Sequence, residues 1–353
     1  MSNELNPSGP ALTKRRGLTT SLLAVVAIAL PLAMLWPGCG NGKAGQAAPK
    51  PKPWKSLIDE KRAFSDLQAF AAVGGISHQK GAEVRLTTGR KMIIEKLKEA
   101  GITSFRNDGW EQVVPPNAGT SGPVVFMQNI VGIIPGERPE AIAIACHYDN
   151  KILRDKTFVG ANDGASGVAT VLELARQLVQ KTKEKGKPKF SYYFVFFDGE
   201  EAFIDWQQNF NGLPDNCYGS RRMAGKRKDV ENGYPIETLV LLDMVGDKDF
   251  NPVFEANSHP DLRRHLVAAS TEFFGIDIFG AVQQMLDDHI PFKENGMLRV
   301  VDIIDFSFGP GNSYWHTHED TVDKCSPDSL AKVGSLVLQV LPMIEPWLEE
   351  QLK

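Results

Sequence analysis

Side chains that could carry out acid–base or metal chemistry follow apolar segments at several points along the chain. His147 comes directly after an apolar run at residues 141–145, and the pair Glu200–Glu201 comes shortly after residues 192–197. Carboxylates that a fold brings together repel one another unless a cation lies between them. Zinc accepts both carboxylate oxygen and imidazole nitrogen, and a catalytic zinc has three protein ligands and one open position. The pattern predicts a zinc site assembled from separate segments. Three further candidate site residues follow apolar runs or lie in the loops after them, namely Asp163, Asp243 and His316.

Each of these residues also has a structural explanation that needs no metal. Asp163 could cap the N-terminus of a helix, because side-chain oxygens at such positions accept backbone hydrogen bonds. Glu200 and Glu201 could form a solvated loop, and His147 could be a core histidine bonded to Asp149. Several strands that all end in His, Asp or Glu nevertheless favour one shared site.

The adjacent glutamates can divide the chemistry between them. Successive side chains in a turn after a strand point in different directions, so one can bind metal while its neighbour faces the substrate. We expect Glu201 to be the metal ligand and Glu200 to be the general acid and base. Neighbouring carboxylates would raise the pKa of Glu200, and the charge of zinc would oppose that rise.

The elements that must position these residues alternate between strand and helix patterns. Apolar and β-branched runs predict buried strands, and apolar residues at spacings of three and four predict helices. This alternation indicates an α/β fold in which helices cover both faces of a mostly parallel sheet. Ligands bind such sheets at the carboxyl ends of the strands, which is where the polar residues fall. The predicted strands are Val124–Ile134, Ala141–Ala145, Tyr192–Phe197, Leu239–Leu242 and Val300–Ile304, and the predicted helices are Arg90–Ala100, Val168–Leu178 and Pro327–Leu352.

The beginning of the chain has the composition of an export signal. Basic residues at 14–16 precede an apolar run at 18–36 and a short Gly-Cys-Gly segment around Cys39. This order of basic, apolar and small residues predicts that residues 1–39 are an export leader, with Cys39 as a possible site of lipid attachment. An uncleaved membrane anchor is the alternative, because the run approaches the length that spans a bilayer. We therefore expect an exported protein, periplasmic or attached to the envelope, that meets the membrane only through this leader.

The remainder of the chain is expected to be a tether and one domain, and the composition of the whole chain is that of a globular protein. Residues 40–53 are rich in Gly, Ala, Lys and Pro, which is typical of a flexible tether, and residues 54–353 are expected to form a single catalytic domain. Hydrophobic residues make up 42% of the chain and charged residues 23%. The net charge of −4 and the pI near 6.0 argue against a nucleic-acid partner, which would require clustered basic residues.

Three cysteines follow the leader, at Cys146, Cys217 and Cys325. They form no Cys-x-x-Cys motif, so the sequence argues against a zinc site built from thiolates. An oxidising compartment would allow one disulfide among the three, and the sequence does not determine which pair would form it.

The polar segments together carry a resemblance to known enzymes. They resemble the zinc aminopeptidase superfamily, whose fold is a three-layer α/β/α sandwich around a mostly parallel mixed sheet. More narrowly, the chain resembles the glutaminyl cyclases over most of the region from about Cys146 to Val340. The motifs that carry the narrower resemblance are Phe196–Phe203 followed by Trp206, then Tyr218–Arg221, Asp287–Phe292 and Trp315–Thr317.

The resemblance implies a glutaminyl-peptide cyclotransferase. Such an acyltransferase converts the N-terminal glutamine of peptides and proteins into pyroglutamate and releases ammonia, and one zinc ion is expected. By position, the resemblance implies that Asp163, Glu201 and His316 bind the metal. It assigns proton transfer to Glu200 and the supporting hydrogen-bond network to Asp243 and Asp288. The pocket for the substrate side chain is assigned to Trp206 and Trp315.

The alternative function on the same fold is that of a di-zinc aminopeptidase, which hydrolyses N-terminal residues. Asp163 would then bridge two ions, and His147 and Asp243 would complete the second site. All these ligands are present, so the ligand set does not decide between the two functions. The aromatic residues Trp206 and Trp315 favour the cyclase.

Some positions depart from the cyclase pattern. The animal enzymes have a histidine about where Asp302 stands, and the loop at residues 309–313 is longer here. Cys146 has a counterpart in those enzymes, but Val168 replaces the cysteine with which that counterpart forms a disulfide. These departures affect which residues form the hydrogen-bond network and how many metal ions the site is expected to hold.

Overall fold

The computed structural model describes residues 51–153, 157–229 and 233–353. The predicted leader at residues 1–39 and most of the predicted tether lie outside the described residues, so these assignments and the domain bounds stay predictions. Among the described residues, no helix is both long enough and apolar enough to cross a bilayer.

The strands form one six-stranded sheet and two short pairs. The order of the main sheet is β1-β2-β4-β3-β7-β10. Strands β4, β3, β7 and β10 run parallel, whereas β2 is antiparallel to both of its neighbours. The sheet is therefore mixed and mostly parallel, as expected. The strands are β1 (Ser104–Val113), β2 (Val124–Ile134), β3 (Arg138–His147), β4 (Phe190–Phe197), β5 (Asn209–Phe210), β6 (Leu213–Pro214), β7 (Ile236–Asp243), β8 (Phe254–Glu255), β9 (Val282–Gln283) and β10 (Val300–Ile304).

The helices begin and end at residues that suit those positions. The Asp59 side chain caps the first helix by accepting from the backbone N–H of Arg62, and Gly101 ends the second in a left-handed conformation. Ser326 caps the last helix, and Pro327 occupies its first turn, where no N–H is needed. The helices are α1 (Glu60–Ala71), α2 (Glu83–Ala100), α3 (Ala165–Lys185), α4 (Tyr218–Lys226), α5 (Pro260–Phe274), α6 (His289–Glu294) and α7 (Pro327–Gln351).

Helices cover both faces of the sheet because successive strand residues point to opposite sides. In β3, Ile142 and Ile144 pack against a core that contains residues of α1, α2, α3, α5 and α7. The intervening residues Ala143 and Ala145 pack into a second core that includes Met223 of α4 and residues of α6. The three-layer α/β/α arrangement expected from the sequence is confirmed.

One predicted strand is less buried than expected. The run Val124–Ile134 predicts a buried strand, but Val124 is 46% and Phe126 is 53% exposed. The reason is that β2 pairs with β4 only over Ile130–Ile134, so the first half of β2 has a single neighbour, β1.

The possible disulfide is not formed. Cys146, Cys217 and Cys325 are all buried, unpaired thiols. The three thiols come from different parts of the fold: Cys146 lies in β3, Cys217 precedes α4, and Cys325 precedes α7.

Candidate active site

The carboxyl ends of three neighbouring parallel strands converge at one edge of the sheet. His147 is the last residue of β3 and Asp243 is the last residue of β7, while Glu200 and Glu201 follow β4 after a short turn. Asp163 reaches the same edge from the loop between β3 and α3. Gly160 makes this loop possible, because its φ is +60° and a β-carbon there would lie 2.4 Å from the carbonyl oxygen of Asp163.

Asp163, Glu201 and His316 form the catalytic donor set, the group that the sequence analysis assigned to the metal. His316 Nε2 lies 3.0 Å from Glu201 Oε1 and 3.3 Å from Asp163 Oδ2. Asp163 and Glu201 are buried, and apart from His316 no residue within the described part of the chain is a hydrogen-bond partner for either side-chain oxygen of Glu201. The three residues can therefore each direct one ligand atom at a single ion.

A second donor group shares Asp163 with the first. His147 Nε2 lies 3.1 Å from Asp243 Oδ1 and 3.2 Å from Asp163 Oδ1. The two oxygens of Asp163 thus face two different histidines, His147 and His316. This is the arrangement that a bridging carboxylate would have between two metal sites.

The electrostatics of both groups favour a cation. Burial opposes protonation of His316, but Glu201 and Asp163 outweigh it and raise the pKa of His316 to about 9. Burial likewise opposes ionisation of Asp163, yet its bonds with His147 and His316 hold the pKa of Asp163 below its usual range. The site therefore attracts positive charge strongly.

The environment of Glu200 differs from that of the ligands. Burial raises the pKa of Glu200 well above its usual value, His147 opposes this, and the negative charges of Glu201 and Asp287 add to the rise. A carboxyl group with raised proton affinity is suited to general acid–base chemistry near neutral pH.

Backbone hydrogen bonds hold the two loops that carry the donor groups. The carboxylate of Asp149 accepts from the backbone N–H groups of Glu200 and Glu201 at 3.0 and 3.3 Å. Asp320 accepts from the N–H groups of Asn162 and Asp163 at 2.7 and 3.0 Å. The sequence analysis did not identify Asp320, because nothing local distinguishes it from a surface acid four residues after His316.

The donor groups open into a cleft of about 280 Å³. Its buried floor contains Asp163, Glu200, Asp243 and Asp287, so it carries several acidic groups. Trp206, Phe306 and Trp315 are half-buried and form aromatic walls, and the ring of Trp315 stacks on His316 with centroids 3.9 Å apart. Exposed residues of the lining are Gln207, Gln284 and Leu286.

The two adjacent aspartates before α6 have different surroundings. Asp287 lines the cleft, whereas Asp288 is fully buried and accepts a hydrogen bond of 2.5 Å from Ser220 Oγ. Asp288 was predicted to belong to the hydrogen-bond network, and no role was predicted for Asp287. Spacing alone does not show which of two successive residues faces a cleft, and the catalytic role of Asp288 stays a prediction.

Comparisons with known proteins agree with this geometry. The model of peptidase family M28 matches residues 129–341. The glutaminyl-peptide cyclotransferase of Drosophila melanogaster is 30% identical over 266 residues, which cover 67% of this chain and 72% of that protein. The chain spans 60–72% of the length of curated relatives of this kind.

Solved structures are similar over a larger share of the chain. The glutaminyl cyclase of an Acidobacteriales bacterium superposes with a TM-score of 0.71 at 30% identity, and the match covers 86% of this chain and 99% of that one. A leucine aminopeptidase precursor from Bacteroides thetaiotaomicron superposes with a TM-score of 0.66 at 24% identity, covering 80% and 97% of the two chains. The second likeness concerns the fold alone.

Proposed function

We propose a function from the premise that this chain belongs to peptidase family M28 and, within it, to the glutaminyl cyclases. The protein is a zinc-dependent glutaminyl-peptide cyclotransferase. It takes peptides or proteins that begin with glutamine and yields pyroglutamate at the N-terminus together with ammonia. The observation that carries this proposal is the cleft itself, which Glu200 lines together with Asp163 and His316 of the catalytic donor set and with two tryptophan walls.

The residues of the catalytic donor set fit zinc. Their donors are one imidazole nitrogen and two carboxylates, all of which zinc accepts. Outside the donor set itself, Asp163 Oδ2 and both oxygens of Glu201 are buried without a hydrogen-bond partner among the described residues, as expected for atoms that bind an ion. We propose that one zinc ion is held by Asp163, Glu201 and His316, where it supplies a Lewis acid that polarises the side-chain carbonyl of the substrate.

Glu200 is placed to carry the proton. The α-amine of the substrate must lose a proton as it attacks the side-chain carbonyl carbon, and the departing amide nitrogen must gain one to leave as ammonia. One carboxyl group can serve both steps if its pKa is raised, as that of Glu200 is. A carbon–nitrogen bond forms and another breaks, so the reaction consumes no water.

The remaining residues of the cleft bind and orient the substrate. Trp206 and Trp315 offer aromatic faces to the aliphatic part of the glutamine side chain. The acidic floor, which includes Asp243 and Asp287, attracts the positively charged α-ammonium group. Because the nucleophile belongs to the substrate, correct orientation contributes much of the rate.

A di-zinc aminopeptidase is the second candidate, since the second donor group is intact. His147 Nε2 lies within 3.2 Å of both Asp163 Oδ1 and Asp243 Oδ1. The aromatic walls of the cleft and the relatives named above favour the cyclase.

We also propose that the enzyme is exported and acts in the periplasm or at the envelope. The support comes from the basic and apolar pattern of residues 1–39 and from Cys39, as set out above. Protein or peptide N-termini are the proposed partners, and contact with the membrane would involve only the leader.

Mass analysis of reaction products tests the proposed function. The purified protein is incubated with two peptides that differ only in their first residue, glutamine or leucine. The proposal predicts the loss of one ammonia from the glutamine peptide and no change in the leucine peptide. Removal of the whole first residue from either peptide would instead show that the protein has aminopeptidase activity.

A further inference from the structure

The aromatic wall formed by Trp206 lies on a segment that has no buried side chain of its own. Residues 205–214, which we call the Trp206 segment, include the hairpin of β5 and β6, and each of them is exposed or half-buried. A segment without buried apolar side chains is not fixed by the core, so its position depends on its hydrogen bonds. Because Trp206 lines the cleft, whatever fixes this segment also fixes the wall.

Asp215 supplies these hydrogen bonds. The residue is fully buried, and its Oδ2 accepts from the backbone N–H groups of Ile204 and Asp205 at 2.7 and 3.3 Å. Its own N–H donates to the carbonyl oxygen of Gln208 at 3.0 Å. Hydrogen bonds to an ionised carboxylate are among the strongest in proteins. Asp215 therefore holds the backbone on both sides of Trp206.

The other oxygen of Asp215 is joined to a fixed part of the fold. Asp215 Oδ1 accepts from the hydroxyl of Tyr218 at 2.6 Å. Tyr218 is the first residue of α4, and its ring packs edge-on against Phe203 in a buried cluster. Burial and the bond with Asp215 raise the pKa of Tyr218 above its usual value, so the hydroxyl keeps its proton and donates. The carboxylate of Asp215 thus bridges α4 and the Trp206 segment.

The backbone that follows Asp215 also holds the catalytic turn. The N–H of Cys217 donates to the carbonyl oxygen of Glu200 at 2.9 Å, and the N–H of Tyr218 donates to that of Gly199 at 2.8 Å. The turn is therefore held by backbone groups, whereas the segment with the aromatic wall is held by a side chain. A substitution at Asp215 should release the wall and leave the turn in place.

We propose that Asp215 is a positioning residue for substrate binding, which keeps the indole of Trp206 in place before the substrate arrives. The residue is not among those that line the cleft, so it acts through Trp206 and not on the substrate. Its kinetic effect rests on the proposed function, in which the wall contacts the glutamine side chain. A wall that must be ordered during binding weakens binding, so loss of Asp215 raises KM and not kcat.

A double-mutant cycle with Trp206 tests the proposal in assays with a glutamine peptide. Asp215→Ala removes the carboxylate and should raise KM by roughly three- to tenfold, with kcat and zinc content unchanged. In a Trp206→Ala background the wall is already lost, so the same substitution should leave KM unchanged. An equal rise in both backgrounds, or a fall in kcat with KM unchanged, would overturn the proposal.

Two further variants control for a general loss of stability. Asp215→Asn should keep a KM near that of the wild type, because its oxygen can accept from the backbone N–H groups and its amide N–H can donate to Tyr218. Asp66→Ala removes another buried aspartate, which pairs with Lys96 and Arg176, and should leave KM unchanged. A KM raised equally in Asp66→Ala would show that any loosening of the fold is sufficient, and would contradict the proposal.

Tyr218→Phe gives an answer even if Asp215→Ala does not fold. This variant keeps the ring that packs on Phe203 and removes only the hydroxyl that bonds to Asp215. KM should rise by a smaller factor than in Asp215→Ala, and only where Trp206 is present. A KM equal to that of the wild type would count against the bridge between α4 and the Trp206 segment.

Crystal structures separate this inference from the proposed reaction. The Trp206 ring should occupy the same position in the wild type and in Asp66→Ala, and should be displaced in Asp215→Ala. An unmoved ring in Asp215→Ala would overturn the inference, whichever reaction the enzyme catalyses. A displaced ring in a protein whose wild type forms no pyroglutamate would support the inference and count against the proposed function alone.

Discussion

Glu200 and Glu201 are neighbours in the chain, yet their surroundings give them different chemistry. Glu201 directs one oxygen, Oε1, at His316, as a metal ligand would. Glu200 lines the cleft, and burial raises its pKa well above the usual range. The backbone N–H groups of both residues are held by one carboxylate, that of Asp149, so the turn itself is fixed.

Replacement of Glu200 by glutamine should stop turnover without removing metal. The amide keeps the size of the side chain but cannot carry a proton, so we expect kcat to fall by about 10²–10⁴-fold. Zinc content should match the wild type. The exposed residue Glu99 on α2 provides the control Glu99→Gln, which should leave kcat unchanged. Full activity in Glu200→Gln would show that another group carries the proton.

Replacement of His316 should remove both an ion and the activity. His316→Ala deletes the only nitrogen donor of the catalytic donor set, so the variant should contain one zinc ion fewer than the wild type. His318→Ala, two residues away at a more exposed position, is the control and should keep the metal. A His316→Ala protein with unchanged zinc content would contradict the assigned ligand set.

Trp206 is expected to contribute to substrate binding and not to metal binding. Trp206→Ala removes one aromatic wall of the cleft but no donor, so KM for a glutamine peptide should rise by roughly tenfold, equivalent to about 1.4 kcal/mol of lost contact. Steady-state kinetics together with zinc analysis would check this. If Trp206→Ala lost zinc with little change in KM, Trp206 would not be a residue that contacts the substrate.

The carboxyl ends of the strands position the site, and the sequence was sufficient to predict which strands these are. The runs before His147, Glu200 and Asp243 are apolar and become buried strands, so local sequence and the tertiary core agree. Helices α1 and α5 were not predicted, because their apolar stripes are short and interrupted by polar residues. Burial of such helices depends on packing against α3 and α7, which local patterns do not show.

The choice between Asp287 and Asp288 shows a second limit of the sequence. Both residues precede α6, and the direction of each side chain depends on how that helix packs against α4 and β10. The same holds for Asp320, whose carboxylate reaches the loop of Asp163 only through the tertiary fold. Residue types were sufficient to predict which donor side chains the fold brings together, because several separate segments supplied them; their role as metal ligands stays a prediction.

The end of β10 contributes a pH dependence to stability. Burial raises the pKa of Asp305 to about 6 from an ordinary value of 3.8. Well below the ordinary pKa of 3.8 the group is protonated in both states. As pH rises the unfolded chain loses this proton first, so stability falls until the pH passes about 6, by about 3 kcal/mol in all.

The variant Asp305→Asn isolates this effect. Its amide cannot ionise, so its free energy of unfolding relative to the wild type should improve by up to about 3 kcal/mol between about pH 4 and about pH 7. Denaturant unfolding of both proteins across this range measures the difference. A constant offset between the two curves would show that the carboxyl group is not strained by burial.

At the scale of the whole molecule, one fold accommodates two reactions. The six-stranded sheet and its helices resemble both a glutaminyl cyclase and an aminopeptidase precursor, so the fold does not decide the chemistry. What differs between the reactions is the nucleophile. In the proposed cyclisation it is the substrate's own amine, whereas in hydrolysis it is water.

The fate of water oxygen therefore tests the central claim most directly. The enzyme is given a glutamine peptide in water enriched in oxygen-18, and the products are examined by mass spectrometry. The account predicts a pyroglutamyl peptide that contains no heavy oxygen, because the amine attacks and the original carbonyl oxygen is retained. Free glutamine that carries heavy oxygen in its carboxylate would contradict it.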